Sequence, residues 1–291
     1  DMILLEFDLA GADWIVTAYA SGCEQMIAVA ESGESPHPIT GSLISGAPKD
    51  LVLREHKVLE HTTDPDEIAQ LRTQVPGLLE GDYFLPRSMS IRQAGKKSNH
   101  GLNYDMKYRR FALENEIPET DAKRICEAYV TDAYPGLLKW HAEIQEQLKR
   151  DRTLINPFGR KVRLLEAWGH DLFKAAYSFV PQSTVFDITR AAMIAAYRDE
   201  SPLFEPMELL AQVHDSILFQ YPARDLESVA RFSQRIALNY MRPTIELRGR
   251  SFQLGVEAKA GFRWGHTMKE FTVSEDVNEV AMSLQRCLES S

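Results

Sequence analysis

Apolar residues crowd the first strand-length stretch of the chain. Met2 to Phe7 (MILLEF) predicts a short buried β-strand ending at Asp8. Ala12 to Tyr19 follows with Trp14, Ile15 and Ala18 apolar, a helical or turn-like pattern. Glu31 to Pro48, rich in Gly, Ser and Pro, reads as loop and short helix. Asp64-Pro65-Asp66 has the form of a helix start, with Asp64 as N-cap, Pro65 at the first helical position and Glu67 three residues on. A helix can run from about Ser90 towards Tyr104, since no proline interrupts it. Helical periodicity returns over Thr120 to Tyr134, Pro135 to Arg150 and Phe173 to Ala196. Two apolar strand-like runs, Met207 to Val213 and Ile217 to Tyr221, flank His214-Asp215-Ser216 as a hairpin tip. Phe252 to Glu257 alternates as a further strand. In the stretch from His266 to Ser291, Val277, Val280, Ala281, Leu284 and Leu288 form an apolar stripe at helical spacing. That stripe is expected to fold back on the body of the chain, with docking on a partner as the alternative.

Composition narrows the class. A chain of 291 residues, 44% hydrophobic and 26% charged, fits one or two globular domains rather than a disordered chain. No run of about 18 apolar residues would span a membrane, and the opening Asp1-Met2 is not followed by a signal-peptide pattern. Cys23, Cys126 and Cys287 are far apart, without CxxC or zinc spacing, and are expected to be reduced thiols.

The net charge of −9 weighs against a nucleic-acid partner, but the basic residues are unevenly distributed. Arg87 to Arg110 holds seven Lys/Arg against Asp105 alone, and Lys149 to Arg163 holds six against Asp151 alone. Two basic segments on an acidic body suit a local anionic ligand, a triphosphate or a nucleic-acid backbone; solvated helix faces would give the same pattern.

Two aspartates stand where the predicted strands could bring them together. Asp8 ends the first strand and Asp215 tips the hairpin. Neighbouring strands would set both carboxylates at one sheet edge, an arrangement suited to two Mg²⁺ ions completed by water and phosphate oxygens. Each aspartate alone also suits a commoner role, a helix N-cap for Asp8 and a turn for Asp215. On the helix from Ser90, the spacing places Arg92, Lys96, His100 and Asn103 on one face, with Arg92 and Lys96 suited to phosphate. Gly95 and Gly101 lie within that helix, where each costs about 1 kcal/mol against Ala, and so predict close approach by another group.

These segments, in this order, resemble motifs A, B and C of the family A DNA polymerases, the bacterial DNA polymerase I family. The motifs are EFDLAGADWIVTAYASG (Glu6 to Gly22), RQAGKKSNHGLNYD (Arg92 to Asp105) and QVHDSILF (Gln212 to Phe219). INPFGRKVRL, AAYSFVPQSTVFDI and LGVEAKAGFRW resemble further family segments, so that the likeness runs from about residue 2 to 264. The resemblance implies an α+β right-hand polymerase. Its palm, a small antiparallel sheet, would occupy 1–30 and 201–265, its helical fingers 31–200, and an extension 266–291. It implies a DNA-directed DNA polymerase acting on dNTPs and primer-template DNA with two Mg²⁺ ions.

By the same resemblance, Asp8 and Asp215 are the catalytic, metal-binding aspartates. Arg92, Lys96, His100, Tyr104, His37 and Asp13 are implied at the dNTP, and Gln182, Arg160 and His214 at the DNA. Lys97 is expected to face solvent. The sequence departs from the family at Asp13, usually Glu, where the side chain blocks a ribose 2′-hydroxyl, and at His100, usually Phe or Tyr. It departs also at Asp105, usually Gly, and at Ser216, usually Glu.

Motif A begins within eight residues of the start, ahead of which the family has a thumb and further palm strands. A second polypeptide supplying the thumb and the rest of the palm is therefore expected, with the first strand paired to that partner. A single-subunit RNA polymerase-like enzyme and a non-catalytic DNA-binding subunit are the alternatives. The expected location is the cytoplasm of a bacterial or phage-infected cell.

Overall fold

The computed structural model describes residues 2–59 and 62–289. The chain opens with β1 (Met2–Leu9) and continues through α1 (Ala12–Ser21), α2 (Glu24–Ser32), α3 (Pro36–Ser45), α4 (Lys49–Leu59) and α5 (Pro65–Arg72). Helices α6 (Ile91–Gly101), α7 (Tyr108–Asn115), α8 (Glu119–Ala128) and α9 (Gly136–Arg150) come next. The short pair β2 (Thr153–Ile155) and β3 (Lys161–Arg163) leads to the long α10 (His170–Arg198). Then follow β4 (Glu208–Val213), β5 (Ser216–Pro222), α11 (Leu226–Gln234), β6 (Ile245–Leu247), β7 (Arg250–Phe252), β8 (Val256–Gly261), β9 (Lys269–Phe271) and α12 (Val277–Glu289).

The contacts divide the chain into two units. The first comprises 1–16, 155–160 and 181–291; the second comprises 17–154 and 161–180. The first unit holds a five-stranded sheet in the order β4-β5-β1-β8-β9. Its β1 alternates half-buried and buried positions, so Ile3, Leu5, Phe7 and Leu9 face the core while Leu4, Glu6 and Asp8 face outward. Phe7 meets Phe219, Phe232 and Phe271 edge-on at centroid distances of 6.1–6.5 Å.

Strand β1 is not an unpaired edge waiting for another polypeptide, as the sequence reading expected. It pairs antiparallel with β5 on one side and β8 on the other. Both neighbours come from the far end of the same chain, a long-range pairing that local pattern does not reveal. The alternating run expected over Phe252 to Glu257 is likewise two strands: β7 ends at Phe252 in a ribbon with β6, and β8 starts at Val256 beside β1. Gly255 lies between them, where its carbonyl accepts from Ala10 N–H at 2.9 Å. The apolar stripe near the C-terminus folds back, as expected: α12 packs on α11, β8 and β9, burying Val280, Leu284 and Cys287.

The second unit is helical. Glu31 to Pro48 holds a short helix, as expected: Pro36 opens α3 and Gly46, in the left-handed region, closes it. Asp64 caps α5 as expected, accepting from the N–H groups of Asp66 and Glu67. Helix α6 starts where Ser90 caps it, the Ser90 hydroxyl oxygen accepting from Gln93 N–H. Ala47, Leu51, Val52, Val75, Leu78 and Ile91 form a buried cluster that seats the start of α6. Among the described residues no helix is long and apolar enough to cross a membrane, and Cys23, Cys126 and Cys287 are free thiols.

Candidate active site

The sheet of the first unit fixes the position of Asp8. In register it lies opposite Ser216 on β5 and opposite Glu257 on β8. Asp215 follows His214 in the turn between β4 and β5, where Val213 pairs with Ser216. His214 adopts a left-handed backbone, φ 54°, as tight hairpins of right-twisted strands favour. Leu9 N–H donates to the Asp215 carbonyl at 3.3 Å, tying the turn to the end of β1.

The Asp8 and Asp215 carboxylates lie close enough to act on each other's charge. Burial first, then the charges of Asp215 and Glu257, push the Asp8 carboxyl from its ordinary value up to about 7; Lys259 opposes this. Ser216 Oγ lies 3.1 Å from Glu6 Oε1 and 3.0 Å from the Val213 carbonyl.

This end of the sheet can hold a hard cation. Among the described residues no three His, Cys, Asp or Glu side chains are close enough to form a metal cage. Two carboxylates are nonetheless what Mg²⁺ commonly takes from a protein, the rest of its shell being water and phosphate oxygens. A divalent cation held by these carboxylates would relieve the repulsion that adds to burial in raising Asp8.

Asp13 lies in the first turn of α1, in the same unit. Gln182 is exposed on α10, next to Pro181 inside that helix. Arg160 is bound within the unit: its Nε lies 3.0 Å from Asp187 Oδ2, and its guanidinium stands 5.1 Å from the Phe186 ring centroid. Asn156 Nδ2 also donates to Asp187, at 2.7 Å, and Arg160 heads the causes that hold the Asp187 carboxyl below its ordinary value.

The second unit presents Arg92, Lys96 and His100 at one-turn spacing along α6. The face is shorter than the spacing suggested. Helix α6 stops at Gly101, and Asn103 turns inward on a 3₁₀ turn, 1% exposed, accepting from Tyr129 OH at 2.7 Å. Tyr104 closes the same turn and is buried. Lys97 is half-buried rather than solvent-facing, and burial lowers its ammonium from the usual value.

The expectation that Gly95 meets another group holds. A Cβ there would lie 2.3 Å from the His37 carbonyl oxygen and 2.6 Å from Gly41 N, both on α3. That close crossing brings His37 to α6, with its ring centroid 5.9 Å from that of His100. Asn99 Nδ2 donates to His37 Nδ1 at 3.2 Å. Burial, then the positive field of His100, Arg92 and Lys96, lower the His37 imidazole to about 4, which keeps it neutral at physiological pH. Beneath it Thr40, Asn99, Tyr129 and Tyr134 share buried hydrogen bonds of 2.7–3.1 Å.

Three residues were not singled out by sequence reasoning. Glu257 stands beside Asp8 only through the β1–β8 register. Glu55, fully buried, accepts from Ile91 N–H at 2.7 Å and from Arg72 Nε at 2.8 Å, so it holds the start of α6. His56 touches Arg92 itself. No local pattern marks these residues, since each acts across tens to hundreds of positions.

A family model described as DNA polymerase family A matches residues 86–266. The thermostable DNA polymerase I of Thermus aquaticus is 26% identical over 242 residues, covering 80% of this chain and 24% of that protein. A DNA polymerase of Mycobacterium phage D29 is 26% identical over 175 residues, covering 60% of this chain and 26% of the phage protein. The chain thus spans about a quarter of the length of these relatives. Among solved structures, the POL domain of Pol1 from M. smegmatis, in complex with DNA primer-template and dNTP, has a similar fold. Its TM-score is 0.65 at 19% identity, over 90% of this chain and 40% of that one.

Proposed function

The chain belongs to DNA polymerase family A, and from that premise we propose that it is the catalytic part of a template-directed DNA polymerase. In this reading a primer 3′-hydroxyl attacks the α-phosphate of a dNTP and pyrophosphate leaves. The first unit takes the role of palm and the second that of fingers. The observation that carries the reading is the meeting of Asp8 and Asp215, two carboxylates far apart in sequence brought to one end of the sheet.

Asp8 and Asp215 hold divalent cations, and the donor set fits Mg²⁺. Such ions, when bound, lower the pKa of the attacking hydroxyl and stabilise charge on the leaving group. The chain's own residues do the positioning. Arg92 offers a planar fork and Lys96 a point charge to the triphosphate. His37 and His100 flank that face, with His37 neutral in the free protein. Tyr104 supports the nascent base pair and Asp13 restricts space at the ribose 2′ position. Gln182 and His214 face the primer-template. Arg160, through its pairing with Asp187, orders the loop whose Asn156 donates to Ser183, the neighbour of Gln182, and contacts the DNA backbone with its remaining donors.

A second polypeptide carrying the thumb remains part of the proposal. It takes no support from β1, which is paired on both sides within the chain. The test is primer extension with Mg²⁺ by the chain alone and with candidate partner polypeptides, beside Asp215→Asn. Loss of one of two metal-binding carboxylates is expected to lower extension by about a thousandfold or more, with primer-template binding retained. Extension that survives this substitution refutes the reading.

A further inference from the structure

The contact that sets the direction of Arg92 lies outside α6. His56 sits on α4, half-buried, between two groups of the α6 start. Its Nε2 is 3.1 Å from Arg92 Nη1, and its Nδ1 is 3.0 Å from Ser90 Oγ. An arginine can only donate, so Nε2 accepts and the imidazole carries its proton on Nδ1, donating to Ser90. The Ser90 oxygen accepts at the same time from Gln93 N–H at 3.1 Å, as the N-cap of α6. One tautomer therefore satisfies the whole chain Ser90–His56–Arg92.

The preceding residue makes this contact rigid. Glu55 is fully buried and receives Ile91 N–H at 2.7 Å, while Arg72, bound to the same carboxylate, also donates to the Met89 carbonyl at 3.0 Å. Glu55 and His56 thus clamp successive parts of one segment, the first its backbone and the second its arginine. A free arginine side chain loses much rotamer freedom when it grips an anion; a tethered one has already lost part of it. The tether occupies one of the five N–H groups of Arg92, and the others suffice for a bidentate grip on phosphate oxygens.

We infer that His56 is a positioning residue for Arg92, holding the guanidinium ready for the polyphosphate of an incoming nucleoside triphosphate. The inference rests on the reading of α6 as the triphosphate-binding face, and its test separates the two.

The experiment measures dATP binding to the whole chain by titration calorimetry, with Mg²⁺ present, and KM and kcat for dATP in primer extension. The variants are His56→Leu, His56→Gln, Arg92→Ala and the double variant His56→Leu/Arg92→Ala. With His56→Leu, Kd and KM are expected to rise about tenfold, the scale of a hydrogen bond to a charged group, with kcat changed less than about twofold. His56→Gln, whose amide oxygen can accept from Arg92, is expected to recover most of that loss. In the Arg92→Ala background, His56→Leu should add less than about twofold, since nothing remains to position.

An unchanged or lowered Kd with His56→Leu overturns the inference, a lowered one because the bond then competes with phosphate. An equal tenfold loss in the Arg92→Ala background also overturns it, because His56 would then act on the fold in general. If His56→Leu does not fold, His56→Met against His56→Gln decides, since methionine offers Arg92 no strong acceptor and must weaken dATP binding where glutamine does not. Failure of Arg92→Ala to weaken dATP binding, or no dATP binding by the unaltered chain, refutes the underlying reading of α6 itself.

Discussion

Asp8 is a carboxylate kept in a place that favours its neutral form. Burial and the nearby charges of Asp215 and Glu257 raise it to about 7, against an ordinary value of 3.8. Between those two values the folded chain holds a proton that the unfolded chain has released, so stability falls as pH rises from about 4 to about 7. Above that both states are ionised and the loss is complete. Asp8→Asn is therefore expected to melt at a higher temperature than the unaltered chain at pH 8, with the gap closing towards pH 5. Added Mg²⁺ should raise the melting temperature of the unaltered chain at pH 8 and leave Asp8→Asn nearly unmoved. Thermal melts across pH, with and without the ion, check both.

His37 runs in the other sense. Lowered to about 4 from 6.5, it stays neutral in the fold while the unfolded chain takes up a proton, so stability is lost as pH falls from about 6.5 towards 4. His37→Gln should lose less on acidification from pH 7 to pH 5, measured by denaturant midpoint.

At the scale of elements, function hangs on two close crossings. One is β1 between β5 and β8, which sets Ser216 and Glu257 on either side of Asp8. The other is α3 against α6, where Gly95 and Gly41 let two backbones meet. The glycines of motif B were legible as a sign of close approach: at Gly95 the approaching group is helix α3 of the same unit, and at Gly101 it is the Met106 side chain. A methyl group at Gly95 would fall 2.3 Å from the backbone oxygen of His37, which cannot swing aside as a flexible side chain would. Gly95→Ala is therefore expected to destabilise the chain by about 1–3 kcal/mol and to push His37 away from His100. The check is a urea midpoint lowered at unchanged slope, together with weaker dATP binding. Helix α12 shows that an apolar stripe at helical spacing locates a buried face well: Val280 and Leu284 are buried, with Cys287 beside them.

Across the whole molecule the net charge of −9 conceals basic segments, yet many of their charges are already answered locally. Lys107 pairs with Asp105, Arg110 with Glu114, Lys149 with Glu146 and Arg160 with Asp187. Such residues release fewer counterions on meeting DNA than unpaired ones would. Primer-template affinity should thus fall with salt, but with a log–log slope well short of about −12, the value if all thirteen basic residues of the two segments each neutralised a phosphate. Fluorescence anisotropy at several salt concentrations measures the slope. A slope near zero would exclude the backbone as a major contact.

The sequence by itself determined the local elements, because hydrophobic period, caps and turn residues act within a few positions. The strand before Asp8, the cap at Asp64, the helix start near Ser90 and the hairpin around Asp215 were all readable from neighbours in the chain. The order of three motifs also identified the family, since each fixes residue types at set spacing. Only the tertiary structure decided that β1 is paired on both sides, that Glu257 stands beside Asp8, that Asn103 turns inward and that His56 holds Arg92. These depend on strand register and helix crossing. Both are settled by which distant apolar faces bury each other, a choice that no short window of sequence contains.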